Sequence, residues 1–231
     1  MRLAVPDLVS NSYFPAIAAV ELGYLRDEGL DVELDLLFPV TDAAAALRNG
    51  DIDFLAGAAH APLYADPAWT DVQLLAALSR NMYWFLVARP DLQVTRETLG
   101  TLRNVRIGAA PGPDLGLRQL FALHDIDIKA AGIEIAPVPG ADAGNVSFGV
   151  TAAEALEAGR IDAFWANGMG SEVAVRRKVG RVVLDARRDG GLAASFTFPA
   201  LMAAQRTIQD NPDATAKTVR AVRRAQRELR A

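Results

Sequence analysis

Apolar and polar positions alternate along the chain in short segments that predict strands and helices in turn. Residues 3–5 form a first apolar run, and "PAIAAVELG" has the spacing of an amphipathic helix with Pro15 in its first turn. Asn11 or Ser12 is the expected N-cap of that helix, since short polar side chains satisfy the free N–H groups there. The charged stretch "RDEG" then predicts a turn.

The next segments continue the alternation. "LDVELDLLF" (30–38) alternates and then becomes continuously apolar, which is typical of a buried strand. "TDAAAALRNG" predicts a helix with Thr41 or Asp42 at its N-cap and Gly50 beyond its end, and "DIDFLAG" predicts the following strand. The same order of apolar runs and amphipathic stretches continues through "RIDAFWANG". Strands that alternate with helices in this way favour an α/β fold with parallel strands and crossover helices.

One internal repeat bears on the architecture. "ALRNGDIDFLAG" (46–57) and "ALEAGRIDAFWA" (155–166) align without a gap, so that Asp53 matches Asp162. Each copy predicts a helix, a glycine stop and a strand. Two interpretations stay open. The repeat can be incidental, because units of a helix, a glycine and a strand are common in any α/β protein. The alternative is two similar lobes that each contain one copy and face each other.

Composition narrows the function classes. The chain has 231 residues, 51% hydrophobic and 23% charged, which is typical of a globular protein. A formal net charge of -4 argues against a nucleic-acid partner, because phosphate binding needs a basic face. The absence of cysteine excludes disulfides, zinc thiolate sites and cysteine nucleophiles. No familiar hydrolase or metalloprotease motif occurs, so we predict a protein that is not an enzyme and has no metal and no cofactor.

The start of the chain and its hydropathy bear on location. "MRLAVPDLVS" reads as a first strand rather than as a signal peptide. No run of about 18 uninterrupted apolar residues occurs, so we expect no membrane insertion. The expected location is periplasmic or at the cell surface if a leader has been removed, and cytoplasmic if Met1 is the native start.

Two stretches carry a family resemblance. "PAIAAVELGYLRDEGLDVEL" and "AAAALRNGDIDFLAG" resemble the solute-binding proteins of the nitrate, sulfonate and taurine class of ABC importers, which share their fold with the thiamine-pyrimidine precursor proteins. The motifs follow the family's order: a helix ending in Gly23-Tyr24, an acidic-Gly-Leu turn, a strand, and a helix whose glycine precedes an acid-aromatic strand. The resemblance continues through "LRNVRIGAAPGPDLGLRQL", "ALEAGRIDAFWANG" and "NPDATAKTVRAVRRAQREL", so it covers nearly the whole chain.

The resemblance implies a two-lobed periplasmic-binding-protein-like α/β fold. Each lobe would be a mixed, mostly parallel sheet flanked by helices, with the ligand in a cleft between lobes that close on it. We expect residues 1–86 to form the first part of lobe 1, residues 87–192 to form lobe 2, and residues 193–231 to return toward lobe 1. This last segment ends in a helix with Leu229 on its apolar side and a solvated basic face. Family members continue with further helices, so we expect the segment to be truncated.

Candidate ligand contacts lie in loops next to predicted strands, where open α/β sheets bind their ligands. In the first part of the chain they are Asn11, Ser12, Tyr13, Phe14, His60, Arg80 and Trp84. Asn11 and Ser12 have helix capping as an alternative role, and His60 can donate to an anion or be incidental. Arg80 can pair with an acidic ligand or with a surface acid, and Trp84 can stack on a ligand or belong to the core.

The second part of the chain supplies candidates of similar chemistry. They are Pro113, Asp114, Trp165, Asn167, Ser195 and Thr197. In the resembling family the loop with Pro113 and Asp114 contacts the ligand, although Asp114 is also a good N-cap. Trp165 and Asn167 end the second copy of the repeat. A lining of aromatics, amides and hydroxyls with few charges suits a small ring compound with one acidic group.

The expected function is that of a solute-binding protein of an ABC-type importer. It would capture a small organic, aromatic or anionic compound of the sulfonate, taurine, nitrate or pyrimidine class, with a permease and its ATPase as partners. The alternative is a cytoplasmic member of the same fold that acts as a ligand sensor or as a cofactor-free enzyme, either a lyase or decarboxylase or one of pyrimidine-precursor metabolism. The pyrimidine synthases that share this fold carry a cysteine-rich motif, which this chain lacks.

Overall fold

The computed structural model describes residues 1–141, 147–189 and 191–230. The chain divides into two compact units. Unit 1 comprises Met1–Arg80 and Thr197–Ala231, and unit 2 comprises Asn81–Phe196. Unit 1 is therefore assembled from two separate stretches of sequence, and unit 2 from one continuous stretch.

The first stretch of unit 1 follows the predicted alternation of strands and helices. Its strands are β1 (Arg2–Val5), β2 (Glu33–Leu36), β3 (Phe54–Ala58) and β4 (Val72–Ala77). Its helices are α1 (Phe14–Glu21), α2 (Tyr24–Asp27), α3 (Val40–Asn49) and α4 (Pro62–Ala65), with a 3-10 turn at Asn11–Tyr13 before α1.

Unit 2 continues the alternation, and the chain then returns to complete unit 1. The strands of unit 2 are β5 (Phe85–Ala88), β6 (Arg106–Ala109), β7 (Glu134–Ala136), β8 (Ala163–Ala166) and β9 (Arg181–Asp185). Its helices are α5 (Asp114–Leu123), α6 (Phe148–Glu157), α7 (Gly168–Arg176) and α8 (Ala186–Asp189), with 3-10 turns at Leu99–Thr101 and Gly191–Ser195. The returning elements of unit 1 are β10 (Pro199–Ala204), α9 (Gln205–Asp210) and α10 (Pro212–Glu228). Ala231, with which the predicted last helix ended, lies outside the described residues.

The two sheets have the same topology. In unit 1 the strand order is β2-β1-β3-β10-β4, with β1 parallel to β2 and β3, and β10 antiparallel to β3 and β4. In unit 2 the order is β7-β6-β8-β5-β9, with β6 parallel to β7 and β8, and β5 antiparallel to β8 and β9. Each sheet is therefore mixed, and one antiparallel strand lies fourth in its order. Among the described helices, none is both long and apolar enough to cross a lipid bilayer.

The core of unit 1 covers both faces of its sheet. Leu201 of β10 and Phe54 of β3 pack on one face with residues of α1 and α10. The next residue of each strand, Met202 and Leu55, packs on the opposite face with residues of α3. This alternation follows from the strand period of two, and a sheet covered by helices on both faces explains why its central strands are continuously apolar.

The internal repeat occupies equivalent places in the two sheets. β3 and β8, the strands of the two copies, are each the central strand of their sheet. Before β3, Asp53 accepts a hydrogen bond from the backbone N–H of Arg2 at 2.7 Å. Before β8, Asp162 accepts one from the backbone N–H of Arg106 at 2.8 Å. The chain therefore forms two similar units, each with one copy of the repeat.

Asp162 makes the stability of unit 2 depend on pH. Its side chain is 16% exposed and forms ion pairs with Arg106 at 3.1 Å and Arg89 at 3.3 Å. Burial raises the pKa of this carboxyl group, but the hydrogen bonds from Arg106 and the charges of Arg106 and Arg89 outweigh burial, so the pKa lies below its ordinary value. The folded state therefore favours the ionised form. This stabilisation is present above the ordinary carboxyl pKa and is lost as the pH falls through the lowered value.

We expect Asp162→Asn to lower the free energy of unfolding by about 1.5–3 kcal/mol at neutral pH, as for hydrogen bonds to a charged group. The loss should shrink at acidic pH, once the wild-type carboxylate is protonated as well. Urea unfolding at both pH values measures the difference. Glu157→Gln is the matched control, since Glu157 is 49% exposed and pairs with Arg177 at the surface. A loss that is equal at both pH values would contradict the electrostatic explanation.

The predicted N-cap of α1 is wrong. The N-cap residue is Tyr13, whose side chain makes no capping hydrogen bond. Asn11 and Ser12 have no capping role because the 3-10 turn starts the helical conformation before α1 begins. Ser10 caps that turn instead by accepting the N–H of Ser12 at 3.4 Å.

Two predictions for the following segment also need correction. The N-cap of α3 is Pro39, so Thr41 and Asp42 lie inside its first turn, whereas Gly50 does terminate the helix in the left-handed conformation with φ of 85°. The stretch 30–38 was expected to be a buried strand, but β2 lies at the edge of its sheet and is only partly buried. Hydrophobic periodicity does not distinguish an edge strand from a central one, because the number of neighbouring strands depends on the tertiary fold.

Candidate functional site

The predicted contact residues of unit 1 lie at the end of its sheet where the parallel strands have their carboxyl termini. β10 runs antiparallel to β3, and Pro199 at its start pairs with Ala58 at the end of β3. Residues that follow β1, β3 and β4 therefore lie at the same end of the sheet as residues that precede β10. Open α/β sheets bind ligands at this end, where the parallel strands end. The predicted residues here are Asn11, Ser12, Tyr13, Phe14, His60, Arg80 and Thr197.

The loop after β1 leaves two of its predicted residues accessible. Ser12 is buried, and its hydroxyl lies 2.6 Å from that of Ser10. The Asp7 carboxylate holds the same loop by accepting the N–H of Ser10 at 2.7 Å. Asn11 is exposed, and 41% of the Phe14 surface is exposed. Among the predicted residues of this segment, Asn11 and Phe14 are therefore accessible to a solute.

Three predicted residues line one open pocket of unit 1. Asn11, Phe14 and Arg80 surround a volume of about 490 Å³, which falls in the range of about 300–1,000 Å³ usual for small-molecule sites. Among the described residues of its lining, none is acidic. The wall also contains residues that the sequence pattern did not indicate, namely Ser79, Gln226, Leu229 and Arg230.

Gln226 joins the parts of the chain that form the pocket. Its side-chain amide nitrogen donates to the carbonyl oxygens of Ala77 at 2.7 Å and Leu78 at 3.0 Å. These bonds connect α10 to the last residue of β4 and to the residue after it. Leu229 was expected on the apolar side of the last helix, but it is 52% exposed and lines the pocket, because it follows the buried part of α10.

The arginines of the pocket carry uncompensated charge. Neither Arg80 nor Arg230 forms a side-chain ion pair or hydrogen bond within the described part of the chain. Elsewhere on α10, Arg224 pairs with Asp27 at 2.8 Å and its guanidinium carbon lies 4.3 Å from the centre of the Tyr24 ring. The pocket therefore presents two guanidinium groups that are available for an anion.

Ser79 adds an unsatisfied polar atom to the same wall. Its hydroxyl oxygen is buried and has no hydrogen-bond partner among the residues described. A buried polar group without a partner costs about 1–3 kcal/mol. A ligand acceptor placed against this wall would remove that cost.

His60 and Thr197 lie at the same end of the sheet but outside the lining of this pocket. The His60 ring packs against Phe198, with ring centroids 5.0 Å apart and planes inclined by 56°. Thr197 is exposed and precedes β10. The structure therefore brings only some of the unit 1 candidates together.

In unit 2 the predicted aromatic residues are close together. Phe85 at the start of β5 pairs with Ala166 at the end of β8, so Trp84 and Trp165 lie at one end of neighbouring strands. Their ring centroids are 5.7 Å apart, and both side chains are buried. Asn167 is the N-cap of α7 and accepts the N–H of Met169 at 3.1 Å. The two indole rings therefore pack against each other at this end of the unit 2 sheet.

Three other candidates of unit 2 lie in loops or at helix ends. Pro113 is the N-cap residue of α5, so the N-cap role considered for Asp114 is wrong. Asp114 pairs with Arg118 at 2.9 Å and accepts the N–H of Gly112 at 3.1 Å. Ser195 donates its hydroxyl to a carbonyl of its own 3-10 turn at 2.8 Å. Asp114 and Ser195 are thus engaged in local contacts, and across the described residues no group of three or more His, Asp or Glu side chains is placed to hold a metal ion.

Two mixed sheets of this topology, each flanked by helices, define a periplasmic-binding-protein-like fold, and several solved structures share it. The periplasmic nitrate-binding protein NrtA from Synechocystis PCC 6803 matches with a TM-score of 0.78 and 19% identity, over 98% of this chain and 60% of that one. A protein from Bordetella bronchiseptica RB50 matches with a TM-score of 0.76 and 22% identity, over 97% and 70% of the two chains. The MOPS-bound alkanesulfonate-binding protein SsuA from Xanthomonas axonopodis pv. citri matches with a TM-score of 0.75 and 15% identity, over 97% and 72%.

The chain belongs to the NMT1/THI5-like family, whose family model matches residues 10–231. No significant match is found among curated protein sequences. The resemblance predicted from the motif order is confirmed, as is the predicted fold class. Fold and family fit a solute-binding protein of an ABC importer.

Proposed function

We propose that this chain is the solute-binding protein of an ABC-type importer and that it binds a small organic anion with an aromatic or other apolar part. The observation that carries the proposal is the pocket of unit 1, where the unpaired guanidinium of Arg80 and the exposed ring of Phe14 line the same space. The nitrate- and sulfonate-binding proteins of the same fold support the choice of an anion.

Three side chains of the pocket can each contribute a different contact to a bound solute. The Arg80 guanidinium can accommodate a carboxylate or sulfonate through two parallel N–H donors. The Ser79 hydroxyl can donate a third hydrogen bond, which would satisfy an otherwise unpaired atom. Phe14 offers an apolar face on which a ring or an alkyl chain can pack. Binding of this kind is non-covalent and leaves the solute chemically unchanged.

A permease and its ATPase would be the partners of this function, and a periplasmic or cell-surface location would follow from it. The periplasmic location of the structurally similar nitrate-binding protein supports this part of the proposal. The solute is then expected to be released unchanged to the permease.

Calorimetry and thermal unfolding against nitrate, taurine, alkanesulfonates, aromatic carboxylates and pyrimidines test the proposal. A solute at about 100 times its dissociation constant should add roughly 2.7 kcal/mol to the free energy of unfolding. Arg80→Gln should weaken binding about tenfold to a hundredfold, as for a lost charge-assisted hydrogen bond. Arg223→Gln is the control, because Arg223 is exposed on α10 and does not line the pocket. Chemical conversion of the bound compound would indicate an enzyme instead, and an equal effect of the two substitutions would argue against the pocket.

A further inference from the structure

The unit 1 pocket contains two guanidinium groups where the sequence predicted one. Arg80 follows β4, and Arg230 follows α10, so they come from the two separate stretches of sequence that form unit 1. The geometry points to a ligand with two anionic groups, and we propose that the solute is an aromatic dianion such as a benzenedicarboxylate. This inference rests on the proposed function and narrows its ligand class.

The charge of the lining favours a second anionic group. Neither Arg80 nor Arg230 has a side-chain partner in the described part of the chain, and no acidic residue is found in the lining. A ligand with one negative charge would compensate one guanidinium and leave the other lining residue without a counter-charge. A ligand with two anionic groups would compensate both, which favours the dianion by a second charge-assisted contact.

The pocket carries a local excess of positive charge, although the chain as a whole is acidic. The whole chain has a formal net charge of -4, so an excess of positive charge is not a general property of its surface. On the same helix, Arg220 pairs with Glu28 and Arg224 with Asp27, each at 2.8 Å. Arg230 has no such acid among the described residues and, unlike the exposed arginines of α10, it lines a cavity.

The apolar part of the lining indicates a ring between the two charges. Phe14 is 41% exposed and Leu229 is 52% exposed, although both side chains border a concave site. A flat apolar body that covers them would remove this apolar surface from water, which favours binding. A rigid ring also holds two carboxylates at a fixed separation, so that little conformational entropy is lost on binding.

The experiment compares a monoanion with dianions of the same ring system. Calorimetry would measure the dissociation constants of benzoate and of the three benzenedicarboxylate isomers for the wild type, Arg230→Gln and Arg227→Gln. We expect the preferred dicarboxylate to bind the wild type about tenfold more tightly than benzoate, the value for one charge-assisted hydrogen bond. Arg230→Gln should abolish this preference and leave benzoate binding unchanged within about twofold. Arg227→Gln should keep the preference, since Arg227 is exposed on α10 outside the pocket.

The possible outcomes separate this inference from the proposed function. Equal affinity of the wild type for benzoate and every dicarboxylate would overturn the dianion proposal while leaving anion binding intact. A preference that survives Arg230→Gln, or that Arg227→Gln also removes, would overturn the role of Arg230. If the wild type binds none of these anions but binds an uncharged pyrimidine, the dianion proposal and the anion specificity of the proposed function both fail, whereas solute binding stands.

Discussion

Leu201→Ala is expected to lower the free energy of unfolding of the chain by about 2–5 kcal/mol, the usual cost of truncating a fully buried leucine. Leu201 lies in β10, has no exposed surface, and packs in a core with Phe54 and residues of α1 and α10. β10 also connects β3 to β4, because Leu201 pairs with Ala56 on one side and Ala76 on the other. A cavity at this position therefore weakens the contact between the returning segment and the N-terminal part of unit 1.

Urea unfolding measures the loss, and hydrogen exchange shows where it acts. Amides of β3 and β4 should lose protection together with those of β10, since opening of one central strand frees both neighbours. Leu229→Ala is the matched control, because Leu229 is 52% exposed, and it should change stability by no more than about 0.5 kcal/mol. A loss for Leu201→Ala as small as that of the control would show that this core is not packed as described.

The fold was predictable because local patterns agree with the tertiary arrangement. A helix followed by a left-handed glycine and an apolar strand occurs twice, and both copies form central strands of their sheets. The motif order then identified the family. The burial of β2 and the N-caps of α1 and α3 were predicted wrongly, because they depend on neighbours that the local pattern does not contain. A strand with the same sequence pattern can lie at an edge or in the centre of a sheet.

The candidate site was only partly predictable from the sequence. Asn11, Phe14 and Arg80 lie after strands, and that position is a local feature which indicates the ligand-binding end of an α/β sheet. Gln226 and Arg230 lie in a basic helical stretch, where a solvated face is the usual explanation. Their place in the pocket depends on the packing of α10 against α1 and on the bonds from Gln226 to the carboxyl end of β4. Contacts between residues more than 140 positions apart leave no periodic signal in a single sequence.

Gly170→Ala is the second substitution with a large expected effect. Helices α6 and α7 pack closely in unit 2, and a Cβ atom at Gly170 would lie 2.7 Å from both the Cα and the carbonyl oxygen of Gly149. Those are backbone atoms, so a side-chain rotation cannot relieve the contact and the helices must move apart. We expect a loss of about 1–3 kcal/mol in the free energy of unfolding, as for overpacking of a close interface. Thermal and urea unfolding both measure it.

The sign of the change in unfolding free energy distinguishes two explanations. A close helix–helix contact predicts a loss on substitution by alanine, whereas helix propensity predicts a gain. In an open helical position, alanine in place of glycine gains about 0.5–1 kcal/mol. Gly168→Ala is the control, because a Cβ atom at Gly168 would meet its nearest neighbour, the Phe85 ring, at an ordinary 3.6 Å. Equal stability of the two variants would contradict the close approach of α6 and α7. If instead Gly170→Ala separates the helices, Asn167 is displaced with the N-terminus of α7 that it caps, so any solute affinity that depends on Asn167 should fall together with stability.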